Sequence, residues 1–366
     1  MALCLGRLLL TAFVLLLVRK TLMGLTVMYG VRQCAAQVST EAILGSREFY
    51  NLLQKLKSLQ GPPTIFMLNK FAVNMTFNFL CNTQRMAGVH DRIVLVTLDS
   101  EARRQVTRHW AGIKQLYWPD TCLAQEKPFS YGEANYQLIY LLRASLASAF
   151  LESGFDVWLT HQHSFWTSNL LDLRPEQEAG VDLIFDSAGT PTEDFVLGGN
   201  YFIKSNAKTI RFFSRVRRFL IGWWMPDNAI MTLLCMTEDY GRCGFFSRSD
   251  VTNWGWLYGN QSVVPKLILF DAEEGGSGSK LQKMKAMGLY FLSDESAAVC
   301  NQSRIAQAMQ WVGGSKRIVA KKSWLQLNMC LYGWIADTFA PHKIPVFGNY
   351  LKKFLLIIAY FLVLPL

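Results

Sequence analysis

The sequence predicts an α/β fold, a mainly parallel sheet with helices on both faces. Short β-branched apolar runs alternate with helix-length segments. At 366 residues and 51% hydrophobic, the chain can bury a sizeable core, which argues against intrinsic disorder. Several of the apolar runs end in acids or histidines, and parallel sheets bind ligands at the carboxyl ends of their strands.

The chain opens MALCLGRLLLTAFVLLLVRK. Its clean apolar run, 8–18, is shorter than the ~20 residues a membrane span needs, and charges at Arg7, Arg19 and Lys20 flank it. Residues 1–36 read as a signal-anchor or a signal peptide, and Cys34 and Ala36 are small enough to allow cleavage after Ala36. A buried core helix is the plainer alternative. Residues 37–61 read as a short helical stem closed by Gly61-Pro62-Pro63. TIFMLN (64–69) is a strand, followed by a helix to about 86. RIVLVTLD (92–99) is a strand ending in Asp99, and a charged helix over 100–110 follows, with Ser100 as its expected cap. KQLYWP (114–119) is a third strand. Residues 131–153 have helical periodicity and stop at Gly154. FDVWLT (155–160) and DLIFDS (182–187) are further strands. In VLGGNYFIKS (196–205), Gly198 and Gly199 suit either close approach of backbone to a ligand or a tight turn before an edge strand. PDNAIMTLL (226–234) starts a helix at Pro226, where Asp227 is either functional or an N-terminal cap. EEGGSGSK (273–280) reads as a flexible loop. A single domain over 62–310 is simplest, with a C-terminal extension (311–366) ending in the apolar tail KKFLLIIAYFLVLPL.

A net charge of +10 favours anionic partners such as phosphates or a lipid surface. No nucleic-acid recognition pattern accompanies it, so nucleic acid is not expected. None of the eight cysteines forms a CxxC pair, which excludes zinc-ribbon and thioredoxin readings. In a secretory lumen some would pair, in an order the sequence leaves open. Sequons stand at Asn74, Asn260 and Asn301. Lys204, Lys208, Arg211, Arg215 and Arg218 share a helical face, which is either solvated or laid against anionic headgroups.

Chemistry concentrates at FDVWLTHQHSFW (155–166). Side chains two apart at a strand end point the same way, so His161 and His163 can face one ion or one phosphate, or be solvated loop residues. Other strand-end acids are Asp99, Asp182 and Asp186.

The stretch around them resembles the nucleotide-diphospho-sugar transferase family, which includes plant arabinosyl- and xylosyltransferases. Gly154, Val157, Thr160 and Trp166 fit the family's pattern of a glycine, an apolar strand, Asp-x-Asp and a tryptophan. On that register His161 and His163 occupy the two aspartate positions. LNKFAVNMTFNFLC (68–81), VLVTLD (94–99), GGNYFIKSNAKTIRFF (198–213), DNAIMTLL (227–234) and SKLQKMKAMGLYFL (279–292) match in order, so the resemblance covers about 62–300. It implies a GT-A fold with a Rossmann-like nucleotide-sugar domain. It also implies sugar transfer, with retention of configuration, from a nucleotide-sugar, expected to be UDP-linked, to a glycan or glycoprotein. The setting it implies is the lumen of the Golgi or ER, with a membrane tether.

The resemblance further implies Asp227 at the acceptor or reacting centre. Asp99, Asp182, Gly198, Gly199 and Asn200 are candidates on the donor side; Arg143 either reaches the diphosphate or makes a helix-surface salt bridge, and Lys280 either contacts phosphate or is an exposed loop lysine. The family's aspartates hold Mn²⁺ or Mg²⁺ against the diphosphate, whereas imidazoles suit softer ions and remove two negative charges. Three readings stay open for the pair: a softer ion, protonated imidazoles touching the diphosphate directly in an acidic lumen, or lost catalysis with retained glycan or partner binding.

Overall fold

A computed structural model describes residues 2–119, 122–123, 127–187, 195–253, 256, 261–270 and 276–312. In chain order the helices are α1 Ala2–Cys34, α2 Thr40–Leu44, α3 Arg47–Leu56, α4 Val73–Thr83, α5 Val89–Arg92, α6 Ser100–His109, α7 Ala134–Glu152, α8 Ala207–Gly222, α9 Asp227–Leu234, α10 Gly276–Ala286 and α11 Gln302–Val312. The strands are β1 Thr64–Leu68, β2 Ile93–Thr97, β3 Lys114–Tyr117, β4 Val157–Thr160, β5 Ser164–Trp166, β6 Leu183–Ser187, β7 Val196–Ile203, β8 Cys243–Phe245, β9 Val251–Thr252, β10 Leu267–Leu269, β11 Leu292–Asp294 and β12 Val299–Cys300.

Seven strands form the main sheet in the order β3-β2-β1-β4-β7-β6-β8. All run parallel except β7, which is antiparallel to both neighbours, β4 and β6. The fold is therefore α/β with a mainly parallel sheet. Period-two alternation splits the core into two clusters, one on each face of the sheet. Val94, Val96, Val157, Leu159 and Tyr201 face the layer that contains α1, α2, α3, α7 and α8. Ile93, Leu95, Trp158 and Phe202 face α4, α6, α10, α11 and the two small sheets.

The predicted strands and long helix lie where the alternation placed them, because each apolar run has a buried partner on both faces. Gly154 stops α7 in the left-handed region at φ +82°, and Phe155 N–H folds back to the Phe150 carbonyl at 3.0 Å.

Four local expectations are corrected. The cap of α6 is Asp99, whose side chain accepts from Ala102 N–H at 2.7 Å; Ser100 is already helical. Gly198 and Gly199 lie inside β7, an interior strand, rather than in a turn before an edge strand. Residues 276–280 of the expected flexible loop open α10 instead, while 273–275 lie outside the described residues. Asp182 sits at the amino end of β6, not at its carboxyl end.

The segment read as a stem folds as α2 and α3, burying Ile43, Phe49, Leu52 and Leu56, with Phe49 edge-on to Phe150 at 5.1 Å. Disulfides join Cys34–Cys122, Cys81–Cys300 and Cys235–Cys243. The first ties the end of α1 to the domain, so cleavage after Ala36 would leave α1 covalently attached. The apolar tail and Asn260 lie outside the described residues.

Candidate functional site

The carboxyl end of β4 opens on a cavity of ≈ 170 Å³, room for on the order of ten waters. Arg143, Thr160, His161, Gln162, His163 and Lys280 supply its polar wall, and Phe71, Phe129 and Tyr136 its aromatic one. β4 ends at Thr160 and the chain turns before β5, so both imidazoles face the same space, with ring centroids 4.6 Å apart. The Lys280 ammonium, in the first turns of α10, stands 3.4 Å from His163 Nε2. Burial holds both histidines well below the ordinary imidazole range. For His161 the cations Arg143 and Lys280 and the neighbouring His163 add to the effect, and for His163 Lys280 and Arg143 do. Burial and these cations therefore favour the neutral form of each ring in the empty protein.

Arg143 reaches the cavity from α7 but is held from behind. Its Nη1 lies 3.5 Å from Asp227 Oδ2, Nη2 donates to the Gly198 carbonyl, and the guanidinium stacks over the Tyr201 ring at 4.6 Å. Both ends of the ion pair are almost fully buried. Burial raises the Asp227 carboxyl to about 6, with Arg143 working against that rise. Gly198 is needed here. Its φ is +73°, and a Cβ would stand 3.0 Å from Met231 Cε and 3.2 Å from Asn228 Cβ.

Beside the histidines, Thr160 on β4 lies directly across from Asn200 on β7. Thr160 Oγ1, both side-chain polar atoms of Asn200 and His161 Nδ1 are buried with no hydrogen-bond partner among the described residues. Asp186 lies buried at the carboxyl end of the neighbouring β6. A cluster of buried polar atoms at a strand end is a place for a polar ligand, since leaving such atoms unmet costs about 1–3 kcal/mol each.

The structure thus brings Arg143, His161, His163 and Lys280 to one cavity, with Asn200 and Gly198 next to it. Asp227 lies behind the wall, acting through Arg143. Gly199 is buried in β7 and does not line the cavity. Two expected donor residues do not line the cavity. Asp99 spends its carboxylate on Ala102 N–H and Lys70 N–H, both at 2.7 Å. Asp182, at the far end of the sheet, accepts from Asn206 Nδ2 and Arg242 N–H. Thr160, Phe129 and Tyr136 were missed as site residues; only the position of Thr160 before the histidines could have signalled it.

The residues present do not fit the divalent ion associated with this fold. The two ring donors facing the cavity, His161 and His163, are imidazoles, which suit Mg²⁺ poorly. The Lys280 ammonium stands 3.4 Å from Nε2 of one of them, and a cation there opposes a second one. Among the described residues no group of three or more His, Cys, Asp or Glu side chains converges.

A profile described as nucleotide-diphospho-sugar transferase matches residues 88–284, more than half of the chain. No curated protein matches the sequence. Among solved structures, the bifunctional glycosyltransferase WbbM is 11% identical over 69% of this chain and 50% of its own, with a TM-score of 0.42. Mouse xyloside xylosyltransferase 1 is 11% identical over 58% of this chain and 98% of its own, with a TM-score of 0.41. The galactosyltransferase LgtC, bound to donor and acceptor sugar analogs, is 11% identical over 68% of this chain and 95% of its own, with a TM-score of 0.41. The chain spans half the length of the first of these.

Proposed function

The chain belongs to the nucleotide-diphospho-sugar transferase family, and on that premise we propose that it binds a nucleotide-sugar in the cavity at the end of β4 and transfers the sugar to a hydroxyl of a glycan or glycoprotein. The observation that carries this reading is the convergence of two cations, Arg143 and Lys280, with the unmet buried polar atoms of Thr160, Asn200 and His161. The cations match a diphosphate, the polar atoms match sugar hydroxyls, and Phe71, Phe129 and Tyr136 offer faces for a base, for which uracil is the expected one. In the transfer, the acceptor oxygen bonds to the anomeric carbon as the bond to the diphosphate breaks, and negative charge collects on the departing nucleotide. Lys280 and Arg143 stabilise that charge, and His163 contributes a hydrogen bond. The neutral imidazoles are so placed that a bound diphosphate would raise their proton affinity. Asp227 is a positioning residue, fixing the guanidinium of Arg143.

A second reading, binding of a nucleotide or glycan without transfer, is favoured by one feature: the loss of both carboxylates at His161 and His163. The two are separated by incubating the full-length protein with UDP- and GDP-sugars, with and without acceptor glycans, and following both nucleotide binding and sugar release. Release above a Lys280→Ala background supports transfer. Binding without release supports the second reading, and no binding of any nucleotide sinks both. The membrane-associated, oxidising lumen of the Golgi or ER is the setting proposed, supported by one helix among the described residues that is long and apolar enough to cross a membrane and by three disulfides among them.

A further inference from the structure

We propose that the outward face of α1, with Trp223 and the cationic face of α8, rests on an anionic lipid surface, so that the transferase domain itself contacts the bilayer. The inference is independent of what the cavity binds.

One side of α1 is docked. Lys20, Val27, Met28 and Val31 are buried, Lys20 lies over the Trp224 ring at 5.8 Å from its centroid, and a Cβ on Gly24 would stand 3.1 Å from Trp224. α1 packs on α7 and on α8, so all three share one layer on one face of the sheet. Opposite the docked side, Leu15, Val18, Leu22, Leu25 and Tyr29 are each at least half exposed. Their spacing of three and four draws a single apolar stripe down the helix. Trp223, 64% exposed, adds to it at the end of α8, where Arg32 of α1 reaches the Ile221 carbonyl. A groove of ≈ 610 Å³ between α1 and the start of α7, walled by Leu15, Val18, Leu22, Met23 and Ala134, has the apolar lining an acyl chain fills. The outward side of α8 presents Lys208, Arg211 and Arg218, with Arg215 beside them.

Two occupants could cover such a stripe, a second copy or lipid, and the charges decide. α1 contains no Asp or Glu. Pairing two copies along the stripe would bring Arg19 near its own kind, and the acid that lines the groove beside it, Glu133, is already paired with Lys127 at 3.2 Å. An anionic bilayer meets the same cations favourably, and a tryptophan at the edge of an apolar stripe suits the headgroup level.

The test uses the full-length protein in vesicles with and without phosphatidylserine. In a Cys4→Ser, Cys330→Ser background, single fluorophores are placed at Leu25→Cys, Tyr29→Cys and Trp223→Cys, with Val299→Cys, exposed on the other face of the sheet, as reference. All four positions are at least half exposed, so each variant is expected to fold. The account expects nitroxide lipids to quench the first three several-fold more than the reference, and aqueous iodide several-fold less. Arg211→Glu with Arg218→Glu should reduce lipid quenching at position 223 in phosphatidylserine vesicles alone. Iodide access equal to Val299 overturns the proposal. So does protection from iodide without lipid quenching, which marks a second copy on the stripe. Lipid quenching at 25 with iodide access at 223 also overturns it, since the helix would then have left the domain to cross the membrane alone.

Discussion

Arg143 and Lys280 border the same cavity, yet their charges are met differently. Arg143 is enclosed by chain partners: a carboxylate at 3.5 Å, a backbone carbonyl and an aromatic face. Lys280 instead stands at the cavity wall beside His163, 3.4 Å from its Nε2, an imidazole whose charged form burial disfavours. The first group is an internal brace that aims a cation. The second is a cationic surface suited to an incoming anion. The histidines complete that difference, because aspartates at 161 and 163 would have turned the second group into an anionic one requiring a metal.

The comparison predicts opposite phenotypes, the largest on stability. Arg143→Ala leaves Asp227 buried without its partner and should destabilise the fold by about 3–5 kcal/mol. Denaturant unfolding measures it, and a loss below that of an ordinary surface variant would break the view of Arg143 as a brace. Arg143→Ala with Asp227→Asn should recover part of the loss.

Lys280→Ala should do the reverse. Removing a charge-assisted contact to a phosphate costs about 1.5–3 kcal/mol of binding, roughly ten- to a hundredfold in the Kd of UDP. Its melting temperature should move far less than that of Arg143→Ala. A large shift in melting with unchanged UDP affinity would make Lys280 structural.

The smallest effect is on pH. The histidines bind protons less readily folded than unfolded, so between pH 7 and 5.5 the empty protein should lose stability as pH falls, by up to about 1.4 kcal/mol per pH unit for each histidine. Asp227, raised to about 6, acts the other way: its contribution is fully present below about 4 and is lost as pH rises through 6. Asp227 should therefore offset part of the loss in the histidine window, and in His161→Gln with His163→Gln its contribution alone remains, so that stability should rise as pH falls through 6. UDP affinity should rise over the same interval, because an anion draws protons onto the pair. Affinity that falls on acidification would contradict the cationic reading of the second group.

Much of the fold was legible because alternation is a local signal. RIVLVTLD and FDVWLT each carry apolar side chains for both faces, and α7 is apolar enough to be core wherever it packs. The cavity was legible in part. His161, His163 and Lys280 were reached through strand-end position and family register, and Arg143 through its helix. What failed had causes outside any short window. Asp99 and Asp182 look alike as acids beside strands, but one caps a helix and the other sits at the wrong end of β6. The glycines of β7 concealed an interior antiparallel strand, because only its partners β4 and β6 reveal it. The docking of α1 could not be read from its own sequence, since its buried side is set by Trp224, two hundred residues from Gly24.

The central claim is that the diphosphate is held by side-chain cations where the family uses a metal. Calorimetric titration of UDP into the full-length protein, with EDTA and then with Mn²⁺, tests it most directly, alongside a His161→Asp, His163→Asp variant. The account predicts an unchanged Kd in EDTA for the natural protein and metal-dependent binding in the double variant. UDP binding by the natural protein that vanishes in EDTA and returns with Mn²⁺ would contradict it.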